Sequence, residues 1–252
     1  MKLYWSNSID AAAAVITPVT QATAFPAVNL ANPQRTRIYR TLGTTATEAI
    51  VFDLGSAQAI TSLILLDHTI LATATLTLEA NATDSWGGPS YSSAITWTTS
   101  WILKTLSQTY RYWRIKVVKA ASAETFDIGR VFIGPATTVT GAVDYNGLDR
   151  DRLDLTVSQR SAGGQLYSDP RPQARTYAAD CSGIADADAT TLDSIAHTIG
   201  LHTPFFIQLD ETGSGFLAEP IYVKFRDVPK LKNAGFDSEL KWDTTLKLEE
   251  NL

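Results

Sequence analysis

Much of what this 252-residue sequence lacks is chemistry. It holds one cysteine, Cys181, so no internal disulfide can staple it. Cys181 reads as a small buried hydrophobe rather than a reactive thiol. There are three histidines, His68, His197 and His202. His197 and His202 are five apart, not the i, i+4 spacing that puts two ligands on one helix face. With the lone cysteine elsewhere, a zinc site is not expected, and neither is any other metal or cofactor. No Gly-Lys-Ser/Thr phosphate loop occurs. Gly213-Ser214-Gly215 reads as a hairpin turn and not as a nucleophile elbow. Asp144, Asn146, Asp149, Asp151 and Asp154 lie close together, but Gly147 falls too early for a calcium loop, so they read as a solvated acidic turn. The carboxylates Asp186 and Asp188 read as helix-start charges. No catalytic set emerges, and the chain is not expected to be an enzyme.

Long apolar runs are missing too. None approaches the length of a bilayer span. The stretch Ala11 to Ile16 is too short for a signal peptide, follows Asp10 and is closed by Pro18. The chain is therefore expected to fold in a reducing cytoplasm, with no membrane anchor. Clustered positive charge is also lacking. Residues 1–137 carry 10 Lys or Arg against 8 Asp or Glu, and residues 138–252 carry 11 against 18. Neither part offers the basic platform that phosphate neutralisation needs, which argues against nucleic acid as a partner.

What is present is β-sheet patterning. Hydrophobic residues are 44% of the chain and charged residues 19%, enough for a real core. Ile50, Phe52 and Leu54 alternate with Val51 and Asp53; Ala74, Leu76, Leu78 and Ala80 alternate with Thr75, Thr77 and Glu79; Trp113, Ile115 and Val117 alternate with Arg114 and Lys116. A period of two puts one set inward and the other toward water. The run Ile60 to Leu66 is nearly all apolar, as in a strand covered on both faces, and Phe126 to Ile133 is a further strand candidate. These short strands, separated by turn-rich segments such as Asp84 to Ser93, predict a jelly-roll β-sandwich over residues 1–137.

Gly134 to Gly141 reads as a linker into a second, mainly β domain over residues 138–252. There Leu153, Leu155 and Val157 mark a strand. Leu192, Ile195, Ala196 and Ile199 fall at i, i+3, i+4, i+7 and predict one helix over about 187–200, capped by Asp186 or Asp188 and closed by Gly200. Phe205 to Leu209 and Ile221 to Phe225 are strands. In the last one, Leu240, Trp242, Thr244, Leu246 and Leu248 point one way. Glu239, Lys241, Asp243, Thr245, Lys247 and Glu249 point the other. Such an alternation spans roughly 36 Å at about 3.3 Å per residue. It is either a long strand with a charged outer face or one that reaches out to pair with a neighbouring subunit. On the second reading Leu240, Trp242, Leu246 and Leu248 are interface candidates.

Several of these segments carry a resemblance. Phe25-Pro26-Ala27-Val28-Asn29-Leu30, Asn32-Pro33, Tyr39-Arg40-Thr41 and Ile50-Val51-Phe52-Asp53-Leu54-Gly55 resemble discoidin-type (coagulation factor 5/8 C-type), galactose-binding-like domains. So do the later segments Tyr110 to Val117 and Ile128 to Gly134. The likeness covers about residues 20–135. Leu65-Leu66-Asp67-His68-Thr69-Ile70 is similar to the version found in phage tail proteins, with Thr69 where those carry Asn. The layout of the second half is similar to tail-tip proteins of long-tailed phages. The resemblance implies a sandwich that presents ligands to loops at one end. The loops are Asn32 to Arg40, with Arg35, Arg37, Tyr39 and Arg40, and Asp84 to Trp101, with Trp86, Tyr91, Trp97 and Trp101. Aromatic faces stack on sugar rings, and arginine forks hold hydroxyls or carboxylates.

The expected function is thus a structural component of a phage tail tip, made in the host cytoplasm and residing in the virion. Its partners would be other tail proteins (tube, hub or fibres), further copies of itself and host-surface glycan. The alternative is a lectin-like carbohydrate-binding module without catalysis.

Overall fold

The structure, a computed structural model, describes residues 1–140, 142–210, 218–234 and 240–251, without the side chains of residues 142, 145 and 146. It is mainly β and divides into two compact units, Ser6–Ala136 and a second built from Met1–Trp5 with Thr137–Leu252. The first strand, β1 (Lys2–Tyr4), thus joins the later unit.

The first unit holds β2 (Val15–Pro18), β3 (Tyr39–Arg40), β4 (Thr47–His68), β5 (Thr75–Asn81), β6 (Tyr91–Ile95), β7 (Ser100–Val118), β8 (Asp127–Ile128) and β9 (Arg130–Gly134). Its main sheet runs β2-β4-β7-β5-β6, with β9 on the other part of β4. β4 and β7 are long because each serves two layers. Thr47 to Asp53 pairs with Tyr112 to Val118, beside β2 and β5. Ser62 to Leu66 pairs with Trp101 to Thr105 and, on its other edge, with β9. The ladder slips between Asp53 and Gln58. Gly55 turns there at φ 77°, its N–H donating to Asp53 Oδ1 at 2.8 Å. A left-handed backbone of this kind is cheap only for glycine. The sequence pattern treats Ile50–Leu54 and Ile60–Leu66 as separate strands, whereas the ladder carries through the bulge. Between the layers sit Phe52, Leu78, Ile115 and the fully buried Trp113 from one side, with Leu63, Leu65, Ile102 and Val131 from the other. Ser62 to Leu66 is buried on both faces, as its unbroken apolar run predicts. The Phe126–Ile133 stretch is broken at Gly129, whose N–H donates to Leu66 O at 3.1 Å.

The second unit holds β10 (Thr137–Thr138), β11 (Ala142–Asp154), β12 (Val157–Arg160), β13 (Leu166–Asp169), β14 (Gln173–Ala185), α1 (Asp186–Ile199), β15 (Phe205–Gln208), β16 (Ile221–Phe225), β17 (Lys232–Asn233) and β18 (Lys241–Glu250). The sheet order is β10-β1-β15-β16-β18-β14-β11, with β17 on β18. α1 lays Leu192, Ile195, Ala196 and Ile199 onto it, and Leu3, Ile207, Val223, Leu246 and Leu248 complete the core. Gly200 ends the helix at φ 57°, with its N–H on Ala196 O. The expected aspartate cap is corrected: the N-cap residue is Ala185, and Asp186 and Asp188 lie inside the first turn. They are used otherwise, Asp186 accepting from Trp242 Nε1 at 2.8 Å and Asp188 from the Thr140 N–H and hydroxyl.

The Leu153-Leu155-Val157 strand is also corrected. Leu153 lies in β11, whose ladder stops at Asp154, and Val157 opens a separate ribbon, β12–β13. Pro170 and Pro172 stand on the returning chain at the break. Neither has an N–H to give a ladder, which accounts for the interruption.

Candidate functional site

The long segment between β2 and β4 folds over one end of the sandwich. Thr41 donates its N–H to Phe126 O, and its hydroxyl accepts from the Phe126 N–H at 3.0 Å. β8 pairs with β3 there. Two bidentate pairs clamp this end. Arg35 Nε and Nη2 donate to Asp67 at 2.8 and 2.9 Å, and Arg40 Nε and Nη2 donate to Asp127 at 2.6 and 2.8 Å. Arg40 also lies 4.6 Å over the Phe25 ring. A fork-on-carboxylate pair fixes geometry as well as supplying charge. Arg37, between the clamps, is exposed, and its guanidinium has no ion-pair partner among the described residues.

Backbone strain gathers at the same end. Among the described residues, the two non-glycine positions with positive φ are Asp67 (54°) and Ser100 (70°). Asp67 precedes, and Ser100 belongs to, the pair His68↔Ser100, where the β4–β7 register slips again. His68 is 7% exposed. Its Nε2 lies 2.8 Å from Thr98 O, its Nδ1 is buried without a partner, and its ring meets Trp97 edge-on. Burial pushes its pKa below the ordinary imidazole value. Trp97 Nε1 in turn donates to Ile70 O at 2.8 Å. Left-handed residues away from glycine mark places where the surroundings over-determine the backbone.

Beneath this end a buried ion pair stands. Glu48 and Lys119 have side-chain exposures of 0% and 2% and lie 3.6 Å apart. Glu48 also accepts from the Thr20 and Thr45 hydroxyls, and Lys119 Nζ donates to the Ser122 and Glu124 carbonyls.

Four candidates from the 32–40 loop therefore separate. Arg35 and Arg40 are structural clamps, and Arg37 faces water. Tyr39 is corrected as a ligand contact: it is 0% exposed and its hydroxyl donates to Thr20 O at 2.7 Å. Burial, and then the Glu48 carboxylate, hold its phenol far above the usual range. Its apolar ring is worth more in the core than at the loop surface.

Trp86 and Tyr91 are not brought to these arginines. β5 runs from Thr75, opposite Val118, to Asn81, opposite Tyr112, and Val118 also faces Thr47. The arginine loop belongs with the Thr47–Val118 end, where Lys119 N–H donates to Ala46 O. The Trp86 loop leaves from Asn81, about 20 Å away at roughly 3.3 Å per residue. There Arg114, ion-paired with Glu79, lies 4.4 Å over the Trp86 ring, whose Nε1 donates to Asp84 at 2.7 Å. Tyr91 packs edge-on against Trp113 as part of the core wall.

In the second unit, the interface candidates Leu246 and Leu248 are both 0% exposed and serve their own core. Trp242 is half-buried and tied to Asp186, while Leu240 is 53% exposed and precedes the strand. Glu239 and the Gly213–Gly215 turn lie outside the described residues. β18 has β14 along one side and β16 and β17 along the other, so it is an interior strand and not a free edge. A cleft of about 660 Å³ opens beside it, lined by Asp144, Asp180 and Asp243 together with Lys230 and Lys232. Cys181 at its base is buried, with its thiol pushed up to about 12. Among the described residues no group of three His, Cys, Asp or Glu is placed to hold a metal ion, and no helix is long and apolar enough to cross a membrane.

These features define a mainly β chain whose first unit is a sandwich with a clamped loop end. No family model matches the sequence, and no curated protein matches it either. Among the solved structures it resembles is the family 32 carbohydrate-binding module of Clostridium perfringens NanJ in complex with galactose. That match has 10% identity and a TM-score of 0.42, and covers 54% of this chain and 100% of the module. A chitosan-binding module of Paenibacillus sp. IK-5 in complex with chitotriose matches at 16% identity and a TM-score of 0.41, over 50% of this chain and 99% of that one. A Ruminococcus gnavus GH29 fucosidase in complex with fucose matches at 16% and 0.44, over 52% of this chain. This chain covers 27% of that enzyme's length.

Proposed function

We propose that this is a non-catalytic binding protein whose sandwich unit takes a hydroxyl- or carboxylate-bearing sugar at its clamped loop end. The observation that carries this reading is the pair of bidentate clamps, Arg35–Asp67 and Arg40–Asp127, with Arg37, which has no ion-pair partner among the described residues, between them in sequence. A loop already rigid before the ligand arrives loses little entropy on binding. A free guanidinium fork on such a loop matches the oxygens of a sugar acid or a vicinal diol. The discoidin resemblance in the sequence counts the Asn32–Arg40 loop at this end among its ligand loops.

The test is a glycan array followed by calorimetry on the best ligands. Arg37→Ala should weaken binding at least tenfold with the melting temperature unchanged, and Arg37→Lys should recover only part of it. Wild-type protein that binds no glycan at millimolar concentration, or an Arg37→Ala variant that binds like wild type, would overturn the reading.

A second reading is assembly into a phage tail tip, beside tube, hub or fibre proteins, as the tail-protein resemblance implies. It is favoured by the β12–β13 ribbon, whose eight residues are all exposed. Antibody labelling of virions tests it: label confined to the tail end supports it, and unlabelled virions refute it.

A further inference from the structure

His68 is the last residue of β4, and its ring is left half-satisfied. The Thr98 carbonyl can only accept, so Nε2 carries the ring proton and Nδ1 keeps a lone pair. That nitrogen is buried and has no partner. A second proton on the ring must go to Nδ1, which makes a buried cation with an unmet donor, and such a group is driven toward water. The charged groups on the elements packed there are already engaged: Asp67 with Arg35, Asp127 of β8 with Arg40, and Arg130 of β9 with Asp10 and Leu30 O. The turn before β7 and the start of that strand bring Trp97, Thr98, Ser100 and the Trp101 carbonyl, all neutral, and that carbonyl already accepts from the Thr98 hydroxyl. Asp67 and the two carbonyls favour a charged ring, and burial outweighs them.

The local backbone is built to yield. His68↔Ser100 is the terminal pair of the β4–β7 ladder, with the left-handed Asp67 and Ser100 at it. Opening it breaks one pair and relieves strained backbone. Asp67 cannot stay behind when His68 leaves. It is the adjoining residue, and it packs so closely on Gly129 that a Cβ there would lie 3.1 Å from Asp67 Cβ and 3.3 Å from Leu66 O. With little room on that side, a ring that swings outward carries the Asp67 carboxylate off the Arg35 fork, and a two-bond fork tolerates little displacement.

We propose that the Arg35–Asp67 clamp is an acid-released latch: a proton on His68 expels the ring, frees Asp67 and loosens the 32–40 loop, so that ligand held at neutral pH is let go in mild acid. This rests on the reading of that end as the ligand site and adds its regulation. The closed latch binds fewer protons than the open one, so it is held above the ordinary imidazole range and lost as pH falls through it. With an open-state imidazole of pKa about 6.5, going from pH 7 to pH 5 favours the open form by up to about 25-fold.

The experiment is NMR on the full chain at pH 7 and pH 5, reading the exchange protection of the Arg35 Nε proton. The like pair Arg111–Asp53, in another part of β4, controls for plain carboxylate titration. Arg35 protection should fall at least fivefold at pH 5, and Arg111 protection less than twofold. The Thr69 and Gly129 amides, which donate to Asp127 O and Leu66 O, should lose protection together with Arg35. His68→Gln keeps a donor for Thr98 O but takes up no proton, so its Arg35 protection should be equal at the two pH values. Undiminished Arg35 protection in wild type at pH 5 would overturn the proposal. So would an equal fall at Arg111, or a fall that persists in His68→Gln. The wild-type arms decide the matter even where His68→Gln does not fold. Calorimetry with glucuronate at the same two pH values should show affinity at least fivefold weaker at pH 5. Glucuronate binding indifferent to pH overturns the latch and leaves the sugar site standing. A latch that opens in a protein binding no sugar on the array removes the ligand reading and leaves the acid-released clamp.

Discussion

Replacing Lys119 by methionine is expected to destabilise the sandwich unit severely. The side chain is 2% exposed and faces Glu48, which is 0% exposed. Methionine keeps most of the length and apolar volume of lysine, so packing changes little. What changes is that the Glu48 carboxylate loses its cation while remaining out of water, and the Ser122 and Glu124 carbonyls lose a donor. Removing one member of a buried ion pair costs about 3–5 kcal/mol. That is a large share of the roughly 5–15 kcal/mol that holds a domain folded. With a urea slope of about 2 kcal/mol per molar, the midpoint should fall by about 2 M. The buried Trp113 reports the transition of this unit by fluorescence. The double replacement Glu48→Gln, Lys119→Met should recover much of the loss, because no net charge is then stranded. The two hydroxyls on Glu48, from Thr20 and Thr45, find an amide oxygen in its place. A single variant that loses less than about 1 kcal/mol, the scale of an exposed pair, would refute the reasoning. A double variant as weak as the single would refute it equally.

Two further outcomes follow from burial. His68 is held neutral in the fold, its pKa depressed below 6.5 by desolvation. The unfolded chain therefore takes up the proton first, and stability should fall as pH drops through about 6.5 toward the depressed value and then level off. His68→Gln should remove that part of the pH profile of the urea midpoint, and an unchanged profile would count against a buried neutral imidazole. Cys181 is 1% exposed with its thiol pushed up to about 12, so a disulfide reagent at pH 8 should label it only on unfolding. Rapid labelling of native protein would contradict its place in the core.

The elements with a strong period were legible in the sequence. The α1 stripe is one, and so are the alternations in β5, β7 and β18, because side-chain direction follows directly from the backbone repeat. What escaped was pairing over long separations. Glu48 and Lys119 are 71 residues apart and each looks like an ordinary surface charge until the fold joins them. Arg35 and Arg40 read in the sequence as ligand-holding forks, but their acids, Asp67 and Asp127, lie in distant segments. Tyr39 reads as a ligand contact because the resemblance puts the Asn32–Arg40 loop at the binding end, although its neighbours in space are Phe126 and Thr20. A period of two says which way a side chain points, not whether that face is covered. Hence Leu153, Leu155 and Val157 read as one strand, although the ladder ends before Leu155 and both Leu155 and Val157 stand in water.

β1 finds its neighbours at Thr137–Thr138 and at Phe206–Gln208. A ribosome delivers this strand some two hundred residues before its second neighbour. At roughly 5–20 residues per second, Leu3 and Tyr4, both shielded in the finished protein, wait on the order of ten seconds or more with nothing to lie against. The sandwich, complete once Ala136 has emerged, can mature during that pause, so the two halves acquire their structure in sequence, with β1 among the last strands to settle.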